Sequence, residues 1–215
     1  MEMLLLVPIL LLSFVVHEFA HAWVAWREGD PTAYRLGRVT LNPLPHIDPF
    51  GTILVPALLL ASRSGFLIGW ARPVPVDASQ LRDPRWGDVR VSLAGVTANL
   101  LLALAFTVLA AGLVHAQRAW PEAGILPSLQ AMTVAGIRLN FLLLVFNLLP
   151  VPPLDGSRVL YHLLPGRWAA NYQRLQGVSM LIFLGLLLTG AISFVLWPAA
   201  FLERSISSPL IQWLT

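Results

Sequence analysis

The sequence predicts an all-α polytopic membrane protein with about four full transmembrane helices, a re-entrant or half-membrane segment and a short β-hairpin. Of its 215 residues, 57% are hydrophobic and 12% are charged, whereas soluble domains carry about 25% charged residues. Several apolar stretches also reach the roughly 20 residues that a helix needs to cross a bilayer. An architecture with five to six transmembrane helices is the alternative. We expect residues 1–215 to form a single membrane-embedded domain.

Four apolar stretches are the expected spans, and two shorter stretches are expected to differ from them. Residues 50–61 are too short for a full span and contain Pro56, which is typical of a half-membrane segment. Residues 66–76, FLIGWARPVPV, combine β-favouring residues with a Pro-x-Pro pattern, which indicates an edge strand or hairpin. The full spans are expected within residues 3–26, 91–114, 131–149 and 171–197.

The arginines predict the orientation of the chain in the membrane. All 14 basic residues are arginine, and 11 of them fall on one face if residues 50–61 are re-entrant. The positive-inside rule makes that face cytoplasmic and places both termini outside. The net charge of +3 is too small and too scattered to indicate a nucleic-acid partner. The absence of cysteine excludes disulfides, thiolate metal ligands and a cysteine nucleophile.

The chemistry is concentrated in the first span, where His17-Glu18-Phe19-Ala20-His21 places two imidazoles at i and i+4. Residues at this spacing lie on one helix face, so both imidazoles can bind one zinc ion. Glu18 stands beside them, where it can take a proton from a water molecule that the metal activates. Ionisable side chains at the centre of a span cost about 2.5 kcal/mol or more, which makes them functional candidates.

A catalytic zinc site takes three protein ligands and keeps a fourth position open. The best candidate for the third ligand is Asp155, which follows the proline-broken end of the third span. The alternatives for Asp155 are a solvated loop carboxylate or the N-cap of a helix that starts near Ser157. His46 and Asp48 are expected to bond the local backbone, with a further polar or metal site as the alternative.

Three motifs in order along the chain resemble the site-2 protease family of intramembrane zinc metalloproteases. They are HEFAH at residues 17–21, AGVTANLLLA at residues 94–103 and NLLPVPPLDG at residues 147–156. The segments at residues 42–52 and 69–76 look like the short prokaryotic members of this family. The family often has proline where Val96 stands, a departure that leaves the ligands untouched.

The resemblance implies a role for each matching side chain. His17, His21 and Asp155 would be the ligands of one zinc ion, and Glu18 would be the general base. Asn147 matches an asparagine associated with substrate handling, and Asn99 matches a polar position that would stabilise the transition state. From the residues alone, either asparagine could instead pair with the broken backbone of a neighbouring helix.

The implied function is hydrolysis of peptide bonds in or near the transmembrane segments of membrane proteins. The implied partners are a transmembrane protein or peptide substrate and the lipid bilayer, with no nucleic acid. We expect a multi-pass protein of a prokaryotic cell membrane whose active site lies toward the cytoplasm. The alternative is a catalytically inactive protease-like scaffold or a transporter, although the sequence shows no inverted repeat of the kind transporters carry.

Overall fold

The computed structural model describes residues 2–62 and 69–215; for residues 2–5, 176, 180, 183, 184 and 187 it describes the backbone alone. The chain divides after Ala98 into two compact units, so the boundary falls within one long helix. That residues 1–215 form a single domain stays a prediction.

The first unit is built on helix α1 and on the first part of helix α4. Between them, in the described residues, the chain forms two short helices and several tight turns and includes an extended stretch at residues 69–76. The helical elements are α1 (Glu2–Glu28), α2 (Thr32–Arg35), a 3-10 turn (Leu44–His46), a π-helical turn (Pro49–Leu54) that continues as α3 (Val55–Ala61), a 3-10 turn (Ala78–Gln80) and α4 (Pro84–Ala119).

Polar contacts fasten the C-terminal end of α1 within this unit. Glu28 forms a two-pronged ion pair with Arg90 of α4, with both nitrogen–oxygen distances at 2.8 Å. The fully buried Asp30 accepts the backbone N–H of Thr32 at 2.9 Å and that of Asp77 at 2.7 Å. A buried carboxylate must be hydrogen-bonded to be tolerated, and these two bonds tie the loop at Asp77 to the helix end.

The second unit contains the rest of α4 and a series of shorter helices after α5. Gly136 of α5 lets this helix lie close to α4, because a Cβ there would stand 2.8 Å from the ring of Phe106. The further elements are α5 (Leu126–Leu148), α6 (Asp155–Leu163), α7 (Gly166–Gln173), a 3-10 turn (Arg174–Val178), α8 (Ser179–Leu188), α9 (Ala191–Val195), α10 (Trp197–Leu202), a π-helical turn (Glu203–Ser207) and α11 (Ser208–Leu214).

Within residues 2–62 and 69–215, three helices are long and apolar enough to cross a membrane. They are Leu6–Glu28 within α1, Pro84–Ala119 and Leu126–Leu148, in agreement with the first three expected spans. The fourth expected span, at residues 171–197, is interrupted. Helix α8 has 10 residues, and the chain then turns at Gly190, whose φ of 73° is left-handed. Glycine adopts this conformation without strain and commonly ends a helix, so four continuous spans are not confirmed.

The expected β-hairpin is also not confirmed. Its residues 66–68 lie outside the described part of the chain, and no strand forms at residues 69–76. Pro73 and Pro75 have no backbone N–H, so neither can donate a hydrogen bond to a neighbouring strand. The shorter apolar stretch is a helix over Pro49–Ala61, which falls short of a full span.

We expect Asp30→Ala to destabilise the protein, because it leaves the part-buried N–H groups of Thr32 and Asp77 without their acceptor. Each unsatisfied donor costs about 1–3 kcal/mol, and about 1 kcal/mol lowers the unfolding midpoint of a domain this size by roughly 2–4 °C. The midpoint measured in detergent should therefore fall by at least about 4 °C. Glu122→Ala removes an exposed carboxylate and should leave the midpoint unchanged. An equal unfolding midpoint in both variants would contradict the stabilising role of the two hydrogen bonds that Asp30 accepts.

Candidate metal centre

Helix α1 holds two imidazoles with their ring nitrogens facing each other. His17 and His21 are each 8% exposed, and their Nε2 atoms lie 3.0 Å apart. The helix produces this arrangement because residues four apart stack on one face. Two nitrogen ligands at 2.0–2.1 Å from a tetrahedral zinc ion would be about 3.3 Å apart. The pair therefore fits a metal ion with little rearrangement.

The orientation of His21 is set by helix α4 within the same unit. Its Nδ1 lies 2.7 Å from the main-chain oxygen of Val91. A carbonyl oxygen can only accept, so Nδ1 carries the proton and donates it. The Nε2 lone pair is then left for a metal, in the arrangement by which a second interaction orients a histidine ligand.

Gly95 allows α4 to approach the imidazole pair this closely. A Cβ at this position would collide with Nε2 of His21 and with the ring of His17. Gly95 also stands one turn after Val91, and the helix directs its N–H to the same carbonyl that receives His21. Any side chain at residue 95 would therefore occupy the space in which the two nitrogens meet.

Glu18 follows His17 directly and bonds to the extended stretch at residues 69–76. Its Oε2 accepts the main-chain N–H of Val74 at 2.9 Å. The buried guanidinium of Arg38 is close enough to Glu18 to interact with it electrostatically. Burial lowers the pKa of Arg38 below its usual value, the like charge of Arg72 lowers this pKa further, and the Glu18 carboxylate raises it. Because an arginine side chain stays protonated in proteins, Glu18 has a cation nearby.

Asp155 lies in the second unit, where it is the first residue of α6. Leu154 occupies the N-cap position, so the N-cap alternative for Asp155 is wrong. The side chain is half-buried and stands in a helix, which also removes the solvated-loop alternative. Gly156 permits the turn between α5 and α6, because a Cβ there would collide with the main-chain oxygen of Leu148. The metal-ligand role of Asp155 stays a prediction.

Comparisons with known proteins identify the family of this chain. Residues 111–190 match the family model described as "Peptidase family M50". The chain is 44% identical over 194 residues to the Bacillus subtilis protein named "Putative zinc metalloprotease YwhC", covering 90% of this chain and 84% of that protein. The chain belongs to peptidase family M50. The resemblance to the site-2 protease family is thus confirmed.

Two mycobacterial relatives extend the M50 comparison. The Mycolicibacterium smegmatis protein "Putative zinc metalloprotease Rip2" is 40% identical over 154 residues, covering 68% of this chain and 52% of that protein. The Mycobacterium tuberculosis protein of the same name is 38% identical over 159 residues, covering 72% and 56%. This M50 chain therefore spans about half the length of the mycobacterial relatives. No solved structure matches it.

The two asparagines that the M50 resemblance singled out bond within the second unit. Asn99 is fully buried, and its Nδ2 donates to Oδ1 of Asn140 at 3.0 Å. Asn140 in turn donates to the main-chain oxygen of Gly136 at 2.9 Å. Asn147 donates to the oxygen of Leu143 in its own helix at 3.0 Å. These bonds serve helix packing and the local helix, and the catalytic roles of Asn99 and Asn147 stay predictions.

Three groups of this M50 site were not predicted from the sequence. The main-chain oxygen of Val91 and the main-chain N–H of Val74 have no sequence signal, because every residue type can supply them. Gly95 did carry a signal, since a glycine inside a helix costs about 1 kcal/mol and so indicates close packing.

The loop residues His46 and Asp48 have local roles, as expected. Nε2 of His46 lies 3.0 Å from the oxygen of Thr40. Asp48 caps the turn that follows it by accepting the N–H groups of Phe50 and Gly51.

We expect Gly95→Ala to abolish stoichiometric binding of a divalent metal, because the added methyl group occupies the position where the ring nitrogens of His17 and His21 meet. Metal content per chain, measured by mass spectrometry after dialysis, should fall well below the content of the unaltered protein. Gly112→Ala is the matched control on the same helix, since a Cβ there meets nothing within 4 Å. Full metal content in Gly95→Ala would contradict the described approach of α4 to the imidazoles.

Proposed function

We propose that this protein is an intramembrane zinc metalloprotease that hydrolyses peptide bonds in or near the transmembrane segments of other membrane proteins. One observation carries the proposal. The facing Nε2 atoms of His17 and His21, with the orientation of His21 set by Val91, stand beside Glu18 in an apolar helix. A structural role needs no carboxylate between two imidazoles at this depth, whereas zinc-dependent hydrolysis does.

The proposed ligands of one zinc ion are His17, His21 and Asp155. Two imidazoles and one carboxylate are a donor set that can hold a metal ion and one that zinc takes in catalytic sites. Family membership and the names of the relatives support zinc. Asp155 is supported by the Leu-Asp-Gly motif and by its half-buried place at the start of α6.

In the proposed mechanism, zinc supplies a Lewis acid that makes water a stronger nucleophile and polarises the scissile carbonyl. Glu18 takes the proton from the attacking water and passes it to the leaving nitrogen. Only one of its two carboxylate oxygens accepts the Val74 N–H, so the other can receive this proton. The buried guanidinium of Arg38 interacts electrostatically with the same carboxylate.

Asn99 and Asn147 are proposed to assist the reaction through their side-chain amides. Asn147 would bind the substrate backbone, and Asn99 would donate to the oxyanion that develops. The amide nitrogen of Asn147 has two protons, and its bond to the oxygen of Leu143 uses one of them. The proposed role of Asn147 therefore requires only the second proton.

The proposed substrate is a membrane-spanning segment with helix-weakening residues near the cleaved bond. A continuous helix keeps every amide in its own hydrogen bonds, so attack requires a segment that can open locally. The proposed location is a prokaryotic cell membrane, with the site toward the cytoplasmic face. The orientation rests on the arginine distribution. The prokaryotic membrane rests on the relatives from Bacillus subtilis and Mycolicibacterium smegmatis.

We expect Glu18→Gln to bind zinc normally and to lose proteolysis. Glutamine has nearly the same shape but cannot accept the proton, and general base catalysis contributes about 10²–10⁴ to the rate. Cleavage of a tagged membrane-spanning peptide in liposomes should fall by at least about 100-fold, and a zinc chelator should abolish the activity of the unaltered protein. Activity that persists in Glu18→Gln, or that is indifferent to the chelator, would return the inactive scaffold or transporter to first place.

Asp155→Ala should weaken zinc binding strongly, because the metal would lose one of three protein ligands. Altering even an outer partner of a ligand weakens metal binding by about 10–100-fold, so we expect the loss of a direct ligand to exceed about 100-fold. The measurement is zinc affinity by competition with a chromophoric chelator. Glu122→Ala removes the same charge from an exposed position and should bind zinc as the unaltered protein does. Equal affinities in all three proteins would remove Asp155 from the ligand set.

A further inference from the structure

The extended stretch at residues 69–76 directs alternate N–H groups into the first unit. Trp70 donates to the main-chain oxygen of Gly51 at 3.1 Å, and Arg72 donates to that of His46 at 2.8 Å. The next N–H in this alternation belongs to Val74, and it donates to Oε2 of Glu18 at 2.9 Å. The Glu18 carboxylate is thus the third acceptor for these alternate N–H groups, after the backbone carbonyls of Gly51 and His46.

The position of the Val74 N–H is restrained by two anchors, Trp70 and Arg72. Each of them donates a hydrogen bond through its N–H and accepts another through its carbonyl. The carbonyl of Trp70 accepts from Oγ1 of Thr52 at 2.8 Å, and the carbonyl of Arg72 accepts from the buried Arg38 at 3.4 Å. N–H and C=O of the same residue therefore point the same way at both anchors, as in an extended chain. Anchors two and four residues before Val74 leave its N–H little freedom to turn away from Glu18.

The flanking prolines restrict Val74 further. Pro73 has a fixed φ, and Pro75 confines the residue before it to extended conformations. Neither proline has an N–H, so Val74 supplies the single main-chain donor between residues 72 and 76. The pattern Pro-x-Pro here keeps one donor and removes those beside it.

We infer that the main-chain N–H of Val74 is a positioning donor that holds the Glu18 carboxylate in place for proton transfer. This inference rests on the proposed function, in which Glu18 is the general base. An N–H bonded to Oε2 restrains that oxygen, so that Oε1 is the oxygen that receives the proton. Because the donor is a backbone group on an anchored stretch, this hydrogen bond requires no further ionisable side chain.

The test replaces the Val74 N–H without changing the side chains around it. Val74→Pro removes the proton but adds a ring, so the decisive variant is an amide-to-ester replacement at residue 74 that keeps the isopropyl group. A hydrogen bond to a charged group contributes enough that its loss should lower kcat by about 10- to 100-fold. KM and zinc content should stay as in the unaltered protein, because Val74 contacts neither substrate nor metal in this scheme.

The matched control is the same amide-to-ester replacement at Ala71. This residue lies in the same stretch, and its N–H has no partner among the described residues. The Ala71 ester should keep the kcat of the unaltered protein, and Val74→Pro should fall at least as far as the Val74 ester. Equal kcat values in the two esters would overturn the inference, as would a lower kcat in both.

The outcomes separate this inference from the proposed function. Full activity in Glu18→Gln would overturn the function and the inference together. An active unaltered protein, an inactive Glu18→Gln and an unaffected Val74 ester would leave the protease standing and remove only the role of Val74. A Val74 ester with reduced zinc content would also overturn the inference, because the N–H would then serve the metal centre as a whole.

Discussion

The close approach of α4 to α1 at the imidazole pair is the constraint on which the first unit depends. The carbonyl of Val91 has two lone pairs, of which the helix uses one and His21 uses the other. A side chain four residues further along would collide with the rings of His17 and His21, and at this place the chain has Gly95. The absence of a side chain there leaves room for the nitrogens of His17 and His21 to meet.

The second unit also relies on polar contacts between its helices. The buried pair Asn99–Asn140 joins α4 to α5, and Thr107 pairs with Ser207 at 2.8 Å. In an apolar medium there is little hydrophobic force between helices, so packing and such hydrogen bonds hold them together. The glycine at residue 136 contributes by letting the ring of Phe106 approach.

Sequence reasoning predicted the long helices and the common face of His17 and His21, because length, apolarity and i, i+4 spacing are local properties. It failed where the result depended on a single backbone torsion, as at Gly190, where the fourth expected span turns. It also failed where backbone groups make the contacts. Residues 69–76 have the composition of a strand, but their N–H groups go to Gly51, His46 and Glu18 instead of to a partner strand. No pattern of residue types distinguishes those two destinations.

The groups that hold the histidines and Glu18 in place all belong to the first unit, and they differ in kind. His17 and His21 stand on a continuous helix, whose pitch places them on one face. Glu18 stands on the same helix, yet its contact reaches to a proline-flanked stretch 56 residues away in sequence. A metal ligand needs one fixed direction, which a helix supplies, whereas Glu18 in its proposed role as the base must keep one oxygen held and one oxygen open. A main-chain donor on a separate segment meets that second need, because it can occupy Oε2 without competing for the face on which the imidazoles bind.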